Sequence, residues 1–194
     1  MQNNIPPGLF TGHKIFLLMG KEGIGVQGKT YCRQRAHDIA FGRDTAPKFT
    51  TYSIQKGIEL EPIAYEFFEE RNFFDLFPAE FYFFGDNAGA IPDATTSNNG
   101  CVEIKCPGNE KVLDLIIDNK IPNDHLCQME LEMMSTGADH CHYFNFGIRN
   151  GEYIFHEIII EPNPIRRSLM AERIEEAVKI RDEYVQILLN KKQF

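Results

Sequence analysis

The stretch from residue 89 to residue 107, GAIPDATTSNNGCVEIKCP, constrains the fold of this chain more than any other part of its sequence. Its polar centre, TTSNNG, is typical of a turn, and apolar residues flank it on both sides. Side chains in a strand alternate between its faces, so Glu103 and Lys105 lie on one face of a strand over residues 102–106. The pattern therefore predicts a hairpin in which residues 89–94 fold back against that strand.

The hairpin brings a third charged residue to the same place. Asp93 lies ten positions before Glu103 in the pattern D-x9-E-x-K, and the turn would set it beside the two charges of the strand. Two carboxylates and an ammonium group that converge are costly to bury unless a cation lies among them. Asp93 and Glu103 offer the hard oxygen ligands that suit Mg²⁺ or Mn²⁺, and the carbonyl group of Ile104 is a further candidate ligand. Lys105 could orient or deprotonate an attacking water and offset charge on a phosphate in the transition state.

This arrangement resembles the catalytic core of the PD-(D/E)XK nucleases. Pro92-Asp93 corresponds to the first part of that motif, and Glu103-Ile104-Lys105 corresponds to the second part. An exposed hairpin with an incidental charge pair would show the same short pattern, so the interpretation depends on the neighbouring segments.

The charge of the chain limits the classes of DNA-binding protein to which it can belong. Its 194 residues carry a formal net charge of −8, whereas proteins that coat DNA are usually basic. A nuclease with carboxylate metal ligands and a local basic groove is compatible with this charge. The length favours a single domain over residues 1–194. No apolar run approaches the ~20 residues that span a bilayer and no segment has the pattern of a signal peptide, so no membrane is expected and a cytoplasmic location (the host cytoplasm if the chain is viral) is the default.

The cysteines predict buried thiols rather than a disulfide framework, because five of them occur at irregular spacing. Cys101 and Cys106 flank the strand that carries Glu103. The sequence His140-Cys141-His142 suggests a cluster of metal ligands, but the chain lacks the C-x2-C pairs of a structural zinc site. From the sequence we therefore assign no metal to this segment.

A second motif offers a rival interpretation. Residues 23–30, GIGVQGKT, match the G-x4-G-K-[ST] pattern of a phosphate-binding P-loop, in which Lys29 would contact the nucleotide. The segment follows an apolar run and precedes a helix predicted over residues 30–41. A P-loop domain requires repeated βαβ units, however, and the aromatic middle of the chain and the hairpin lack that alternation. A glycine-rich loop between two short helices explains the same residues, and a P-loop nucleotide-binding enzyme is the alternative function.

A helix predicted over residues 50–71 carries one more acidic residue of interest. It contains Pro62, and proline inside a helix imposes a bend that could direct the carboxylate of the preceding Glu61 inward. On local grounds alone, Glu61 would be a surface glutamate.

A second helix, predicted over residues 125–136, is mostly apolar and has Asn123 or Asp124 as its expected cap. Gln128 and Glu132 form a polar pair four residues apart on this helix. Buried polar groups need partners, and an active site is one way to supply them.

The other segments complete a sheet flanked by helices. We expect an aromatic strand over residues 73–85, a short helix over 110–120, two strands over 140–148 and 152–160 joined at Asn150-Gly151, and a charged helix over 165–192. The charges of the last helix are expected to face solvent.

Taken in order, these segments resemble the YqaJ-type viral recombinase nucleases, the family that includes lambda exonuclease. The resemblance covers roughly residues 11–146 and rests on GIELEP, GAIPD, VEIKCP, and then KIP with QME and STG, in that order. It implies an α/β (α+β) fold of the restriction-endonuclease type, with a central mixed β-sheet flanked by α-helices. It also implies that Asp93 and Glu103 bind the metal with Glu61 as an auxiliary carboxylate, that Lys105 is the catalytic lysine and that Gln128 is the active-site glutamine.

The activity implied by the resemblance is a Mg²⁺-dependent exonuclease that degrades linear double-stranded DNA from 5′ to 3′. Such enzymes supply single strands to an annealing protein in phage-type recombination, and relatives form trimers threaded by DNA. A structure-specific endonuclease and an inactive DNA-binding module of the same fold are further alternatives.

The segment that would recognise a DNA end departs from the family pattern. Residues 11–14, TGHK, resemble a family segment whose serine, with an upstream arginine, holds the 5′-phosphate. Here His13 takes the serine position, and residues 1–12 contain no arginine. His13, Lys14, Arg33 and Arg35 are the candidate DNA contacts, and the polarity of cleavage stays open.

Overall fold

The computed structural model describes residues 5–42, 52–78 and 80–191, and for residues 52–54 it describes the backbone alone. Its helices are α1 (Val26–Phe41), α2 (Tyr52–Arg71), α3 (Asn109–Asp118), α4 (Asn123–Thr136) and α5 (Pro164–Lys191), and a 3₁₀ helix covers Gly12–Leu18. Its strands are β1 (Phe10–Thr11), β2 (Leu76–Pro78), β3 (Tyr82–Phe84), β4 (Ala88–Ala90), β5 (Ala94–Thr96), β6 (Gly100–Lys105), β7 (His140–Arg149) and β8 (Glu152–Ile160).

The strands form a main sheet and a smaller one. The main sheet has the order β2-β5-β6-β7-β8, and the smaller sheet has the order β1-β4-β3. In the main sheet β6 and β7 run parallel, while the other neighbours are antiparallel. Parallel neighbours need a long crossover, and α3 with α4 supplies it. The mixed sheet with helices around it confirms the predicted fold class.

Strand β6 presents alternate side chains to the two layers that cover the main sheet. Val102 and Ile104 lie on the side covered by α2, in an apolar core that includes Phe68. Cys101 lies on the side covered by α4, in a core that includes Met129. We call these the α2 side and the α4 side. Because side chains alternate along a strand, Glu103 and Lys105 belong to the α4 side with Cys101.

A third core joins α1, α5, the 3₁₀ helix and the smaller sheet, and its buried members include Phe10, Ile15, Tyr31, Leu131, Met170 and Ile174. The prediction that the charges of the last helix face solvent is wrong for Arg173 and Arg181, which are buried. Arg181 donates hydrogen bonds to the carbonyl oxygen of Gly8 (3.0 Å) and to Oδ1 of Asn87 (2.9 Å). These partners compensate its burial and attach α5 to the first described residues.

The predicted hairpin exists, but it is shorter than expected. Of the two strands before the turn, β5 pairs with β6, whereas β4 belongs to the smaller sheet and pairs there with β1 and β3. Pro92 lies between β4 and β5 and has no N–H to donate, so the chain can leave one sheet there and enter the other. The aromatic run predicted as one strand over residues 73–85 is likewise divided between β2 and β3, in different sheets.

The helices and the last two strands agree with the sequence within a few residues. Helix α4 begins at Asn123 directly after Pro122, and neither Asn123 nor Asp124 caps it with a side-chain hydrogen bond, which corrects that prediction. Residues 50, 51 and 192 of the predicted helices lie outside the described residues. In the part of the chain that is described, no helix has both the length and the apolar character needed to cross a membrane.

Candidate active site

Asp93 is held against β6 by backbone hydrogen bonds, as the sequence predicted. Its N–H donates to the carbonyl oxygen of Val102 (2.9 Å), and its Oδ2 accepts from the N–H of Ile104 (2.6 Å). Glu103 lies between Val102 and Ile104 in the sequence. Its side chain is on the α4 side and is only 3% exposed. The turn after β5 thus sets the two carboxylates beside each other.

Lys105 and Gln128 complete a polar network around Glu103. Lys105 forms an ion pair with Glu103, and its Nζ donates to Oε1 of Gln128 (3.2 Å). The amide Nε2 of Gln128 donates to Oε1 of Glu103 (2.7 Å) and to Oε1 of Glu132 (2.9 Å). Gln128 therefore links β6 to α4 through both of its polar atoms.

The pKa values show a site with more negative charge than its surroundings can stabilise. Burial, with the nearby Glu103 and Glu61 carboxylates, raises the pKa of Asp93 to about 8 despite the hydrogen bond from Ile104. Burial and then Glu103 raise the pKa of Glu132 well above its ordinary value. Burial alone would lower the pKa of Lys105, but the Glu103 carboxylate outweighs it and the net pKa is raised. An added cation would relieve this excess.

A cavity of about 760 Å³ opens beside these groups. Glu61, Ile104 and Lys105 line it, together with residues of α3, α4 and β7 that include Lys111, Asp114, Asp118, His125, Tyr143 and Asn145. Helix α2 continues through Pro62, and the exposed Glu61 faces the cavity. The structure therefore brings together all five predicted catalytic residues: Glu61, Asp93, Glu103, Lys105 and Gln128.

The four candidate DNA contacts lie outside the residues that line this cavity. His13 bonds to Thr11 through Nδ1 and Oγ1 (3.3 Å) at the start of the 3₁₀ helix. Lys14 and Arg35 lie over the ring of Tyr31, at 5.9 and 5.4 Å from its centroid. Arg35 also forms an ion pair with Asp38 (2.9 Å), so its charge is already partly neutralised.

Arg33 is exposed on α1, and its guanidinium is 5.1 Å from the centroid of the Tyr184 ring on α5. The 3₁₀ helix that carries His13 and Lys14 packs directly against α4, the helix that carries Gln128. His13 and Lys14 are thus better placed than Arg33 to reach a substrate at the active site.

The P-loop-like segment has a packing role. It follows the 3₁₀ helix rather than a strand, and α1 already begins at Val26. A Cβ on Gly28 would lie 2.6 Å from both Ile24 Cγ2 and the carbonyl oxygen of Leu17, so only glycine fits there. Lys29 is exposed in the first turn of α1. The segment lacks the strand-to-helix loop that cradles phosphates.

Sequence reasoning missed several neighbours of the site. Cys101, Glu132 and Cys141 are buried with ligand atoms within 4.8 Å of one another. On the cavity wall, His125 Nδ1 and the Tyr143 hydroxyl are 2.6 Å apart. Burial raises the pKa of Tyr143 to about 12, and burial with the Lys105 charge lowers the pKa of His125. The Gln128–Glu132 spacing was the one signal in the sequence, because it placed polar groups on a buried helix.

Comparison with known proteins identifies the family and the fold. The sequence profile of the YqaJ-like viral recombinase domain matches residues 26–139. An alkaline exonuclease (LHK-Exo) from Laribacter hongkongensis has a TM-score of 0.83 at 19% identity, over 95% of this chain and 93% of that chain. Its complex with dAMP has a TM-score of 0.80 at the same identity and coverage. A phage related exonuclease from Haemophilus somnus 129PT has a TM-score of 0.75 at 15% identity, over 97% of this chain and 100% of that chain. No curated protein matches the sequence.

These likenesses establish the fold, which this chain shares with exonucleases. The profile match and the Asp93–Glu103–Lys105 arrangement define the class of the protein as a nuclease. Because the match covers more than half of its length, the chain belongs to the YqaJ-like viral recombinase domain family. The family resemblance noted in the sequence is confirmed.

Proposed function

We propose that this chain is a Mg²⁺-dependent exonuclease that hydrolyses linear double-stranded DNA in the 5′-to-3′ direction. It would act as a single nuclease domain and supply single strands to an annealing protein in phage-type recombination. The observation that carries the proposal is the convergence of Asp93, Glu103 and Lys105 beside an open cavity, with Gln128 bonded to two of them.

The donor atoms of the site fit Mg²⁺ or Mn²⁺. Asp93 and Glu103 offer hard carboxylate oxygens, the carbonyl group of Ile104 lies between them and Lys105 in sequence, and Glu61 faces the same cavity. The repulsion and burial that raise the pKa of Asp93 to about 8 are effects that a divalent ion would offset. When bound there, such an ion would polarise the phosphate.

Lys105 is proposed to act as an ammonium ion rather than as a base. Its raised pKa keeps it protonated, so it can orient water and stabilise negative charge on the phosphate. Hydrolysis forms a bond between the water oxygen and phosphorus and breaks the bond from phosphorus to the leaving oxygen. The attacking water gives up a proton to solvent, and the leaving oxygen takes one up. Gln128 positions both Lys105 and Glu103 for this reaction.

Two observations support exonucleolytic rather than internal cleavage. One similar structure holds dAMP, a deoxynucleoside monophosphate of the kind that stepwise degradation of DNA releases. In this chain the 3₁₀ helix that contains His13 and Lys14 packs on α4, so two groups able to bind a terminal phosphate lie on an element next to the site. A trimer around the DNA would keep the enzyme bound to its substrate. Measurement of the mass of the protein in solution tests whether it is a trimer.

The test is digestion of linear duplex DNA labelled separately at its 5′ and 3′ ends, with Mg²⁺, with Mn²⁺ and with EDTA. Wild type should release the 5′ label first as mononucleotides, and EDTA should abolish release. Lys105→Ala should lose activity by about a thousandfold, as expected for removal of a charge that stabilises the transition state. Lys29→Ala, which changes an exposed lysine of α1, is the matched control and should retain full activity.

Other outcomes would assign another function. Internal cuts in circular DNA would indicate an endonuclease of the same fold. Binding of DNA without cleavage under any divalent ion would indicate a binding module. Loss of nucleotide binding in Lys29→Ala, with Lys105→Ala harmless, would restore the P-loop interpretation.

A further inference from the structure

A pair of histidines lies at the start of β7, away from the end of that strand that pairs with Lys105. His140 and His142 are two residues apart on β7 and share the α2 side, where the His142 ring packs 5.0 Å from the ring of Phe74. His140 is opposite Gly100 in the register, five residues before the pairing of Lys105 with Asn145. His142 is opposite Val102, three residues before that pairing, so the two histidines lie about 10 and 16 Å along the strand from Lys105, at a rise of about 3.3 Å per residue.

The two imidazoles are oriented as metal ligands usually are. Their Nε2 atoms are 3.1 Å apart. The Nδ1 of His140 is 2.5 Å from Oδ1 of Asp139, and the Nδ1 of His142 is 2.8 Å from Oε1 of Glu157. A histidine that binds a metal commonly donates its other N–H to a carboxylate, which fixes the tautomer and leaves the remaining nitrogen with a free lone pair.

Both lone pairs then meet in the same small space. When each Nδ1 carries the proton donated to its carboxylate, the two Nε2 atoms repel each other unless a cation lies between them. Bonds of about 2.0–2.1 Å from these nitrogens to one ion would enclose an angle of about 100°, which is close to tetrahedral. Imidazole nitrogens suit Zn²⁺, Ni²⁺ or Cu²⁺, whereas Mg²⁺ prefers oxygen ligands.

A glycine keeps space open beside this pair. A Cβ on Gly100 would lie 2.5 Å from Nε2 of His140 and 2.8 Å from Oγ1 of Thr96. The Thr96 hydroxyl is buried, accepts from the N–H of Gly100 (2.8 Å) and bonds to Oδ1 of Asn98 (2.5 Å). The missing side chain thus leaves room next to one ligand nitrogen and one hydroxyl oxygen.

An ion could reach the pair from solvent. His140 is partly exposed and lines a surface cavity of about 530 Å³ together with Asp139, Ile159, Glu161 and Pro162. No third His, Cys, Asp or Glu of the described residues completes a set with the two nitrogens. Water and the Thr96 hydroxyl would fill the other positions, so we expect micromolar rather than tighter affinity.

We propose that His140 and His142 form a second metal site, separate from the nuclease centre, for a divalent transition-metal ion such as Zn²⁺. A bound ion would link the turn between β5 and β6, which is flanked by Thr96 and Gly100, to the start of β7. Since Asp93 directly precedes β5, the ion would also stabilise the strand pair that carries the nuclease carboxylates.

The test is a calorimetric titration of the metal-free full-length chain with ZnCl₂, in saturating Mg²⁺ so that the carboxylate site is occupied. Wild type should show saturable binding of Zn²⁺, and the ion should raise its Tm. His140→Ala should weaken binding at least tenfold and abolish the rise in Tm, as expected for loss of one of two protein ligands. His156→Ala, on neighbouring β8 with its ring bonded to Asn119, is the control and should bind as wild type does.

A second variant keeps both histidines. Gly100→Ala fills the space beside the His140 nitrogen and should also weaken Zn²⁺ binding at least tenfold. Absence of saturable binding to wild type below millimolar Zn²⁺ would overturn the proposal and leave a proton shared between the two rings as the explanation of the short distance. Unchanged affinity in His140→Ala and Gly100→Ala would overturn it equally.

Discussion

The two sides of the main sheet differ in what they bury, although one strand contributes to both. On the α2 side Val102 and Ile104 join an aromatic cluster, whose rings belong to Phe67, Phe68, Phe144, Phe146 and Phe155. On the α4 side the same strand places Glu103 and Lys105 against Gln128. The α2 side gains free energy from apolar burial, and the α4 side uses buried charge that opposes folding.

The difference shows how a single strand can serve stability and chemistry at once. Alternation with a period of two separates the two roles by one residue, so the aromatic cluster fixes the backbone from which the charged side chains project. We expect substitutions on the α2 side to lower stability. Substitutions of the charged and polar groups on the α4 side should affect activity or the electrostatic cost of the site more than they affect packing.

The largest effect is expected from Phe144→Ala. Phe144 is fully buried, with its ring centroid 5.1 Å from that of Phe68, and its removal should lower the free energy of unfolding by about 3–5 kcal/mol. Urea denaturation measures the change. Phe73→Ala is the matched control, because Phe73 is fully exposed and its loss should change stability by less than about 0.5 kcal/mol. Equal effects of the two variants would remove the distinction between the sides.

The second prediction concerns Gln128→Leu on the α4 side. The variant loses the donor to Glu103 and the acceptor for Lys105, so the rate of DNA cleavage should fall about 100-fold, or about 2.7 kcal/mol at the barrier. The urea midpoint should fall by less than in Phe144→Ala, because leucine of similar size fills the space although the buried carboxylates of Glu103 and Glu132 each lose a donor. Gln186→Leu, exposed on α5, should keep full activity. A loss of stability as large as that of Phe144→Ala would contradict a positioning role.

The third prediction is a dependence of stability on pH in the metal-free chain. The folded state raises the pKa of Asp93 to about 8, whereas the ordinary value is 3.8. Between these values the unfolded chain has released a proton that the folded chain keeps, so stability falls as pH rises, by at most about 1.4 kcal/mol per pH unit. Asp93→Asn should flatten the profile measured in EDTA.

Asp86→Asn, which changes an exposed aspartate, is the control for that profile and should leave the slope unchanged. Saturating Mg²⁺ should stabilise wild type more at pH 8 than at pH 5, because protons no longer compete for the carboxylates. A flat profile in wild type would mean that Asp93 is ionised without a metal.

The smallest effect is expected from Glu132→Gln. Its Oε2 is buried and has no hydrogen-bond partner among the described residues, and burial with the Glu103 charge disfavours the ionised form. Glutamine keeps an acceptor for Gln128 and carries no charge, so the free energy of unfolding at pH 8 should rise by about 1 kcal/mol. A fall instead would show that a cation holds the carboxylate ionised, with Cys101 and Cys141 as the nearest candidate ligands.

The sequence predicts the catalytic centre because its main relations are local. Asp93 and Glu103 are joined by one short turn, and the period of two sets Glu103 and Lys105 on one side. Gln128 required the additional argument that a polar residue on a buried helix needs a partner. The family resemblance supplied its role, and the hydrogen bonds to Glu103 and Lys105 agree with that role.

What the sequence could not predict depends on contacts between distant segments. Strands of three residues, such as β3 and β4, are too short to show a period, so their departure to a second sheet has no local signal. The parallel pairing that sets Cys101 opposite Cys141 follows from how α3 and α4 pack between β6 and β7. The orientation of the His142 ring also depends on Glu157 of β8, and no local pattern in the sequence relates that residue to the two histidines.

The bond from Arg181 to the carbonyl group of Gly8 has a consequence for the order of folding. It spans 173 positions of the chain, whereas the hydrogen bonds that join Asp93, Glu103, Gln128 and Glu132 lie within residues 93–132. Loops of short span close faster than loops of long span. During synthesis the catalytic strand, its turn and α4 are complete well before residue 181 exists. The last helix can therefore dock after those parts have met, and Arg181 is then buried at a time when its partners Gly8 and Asn87 are already present.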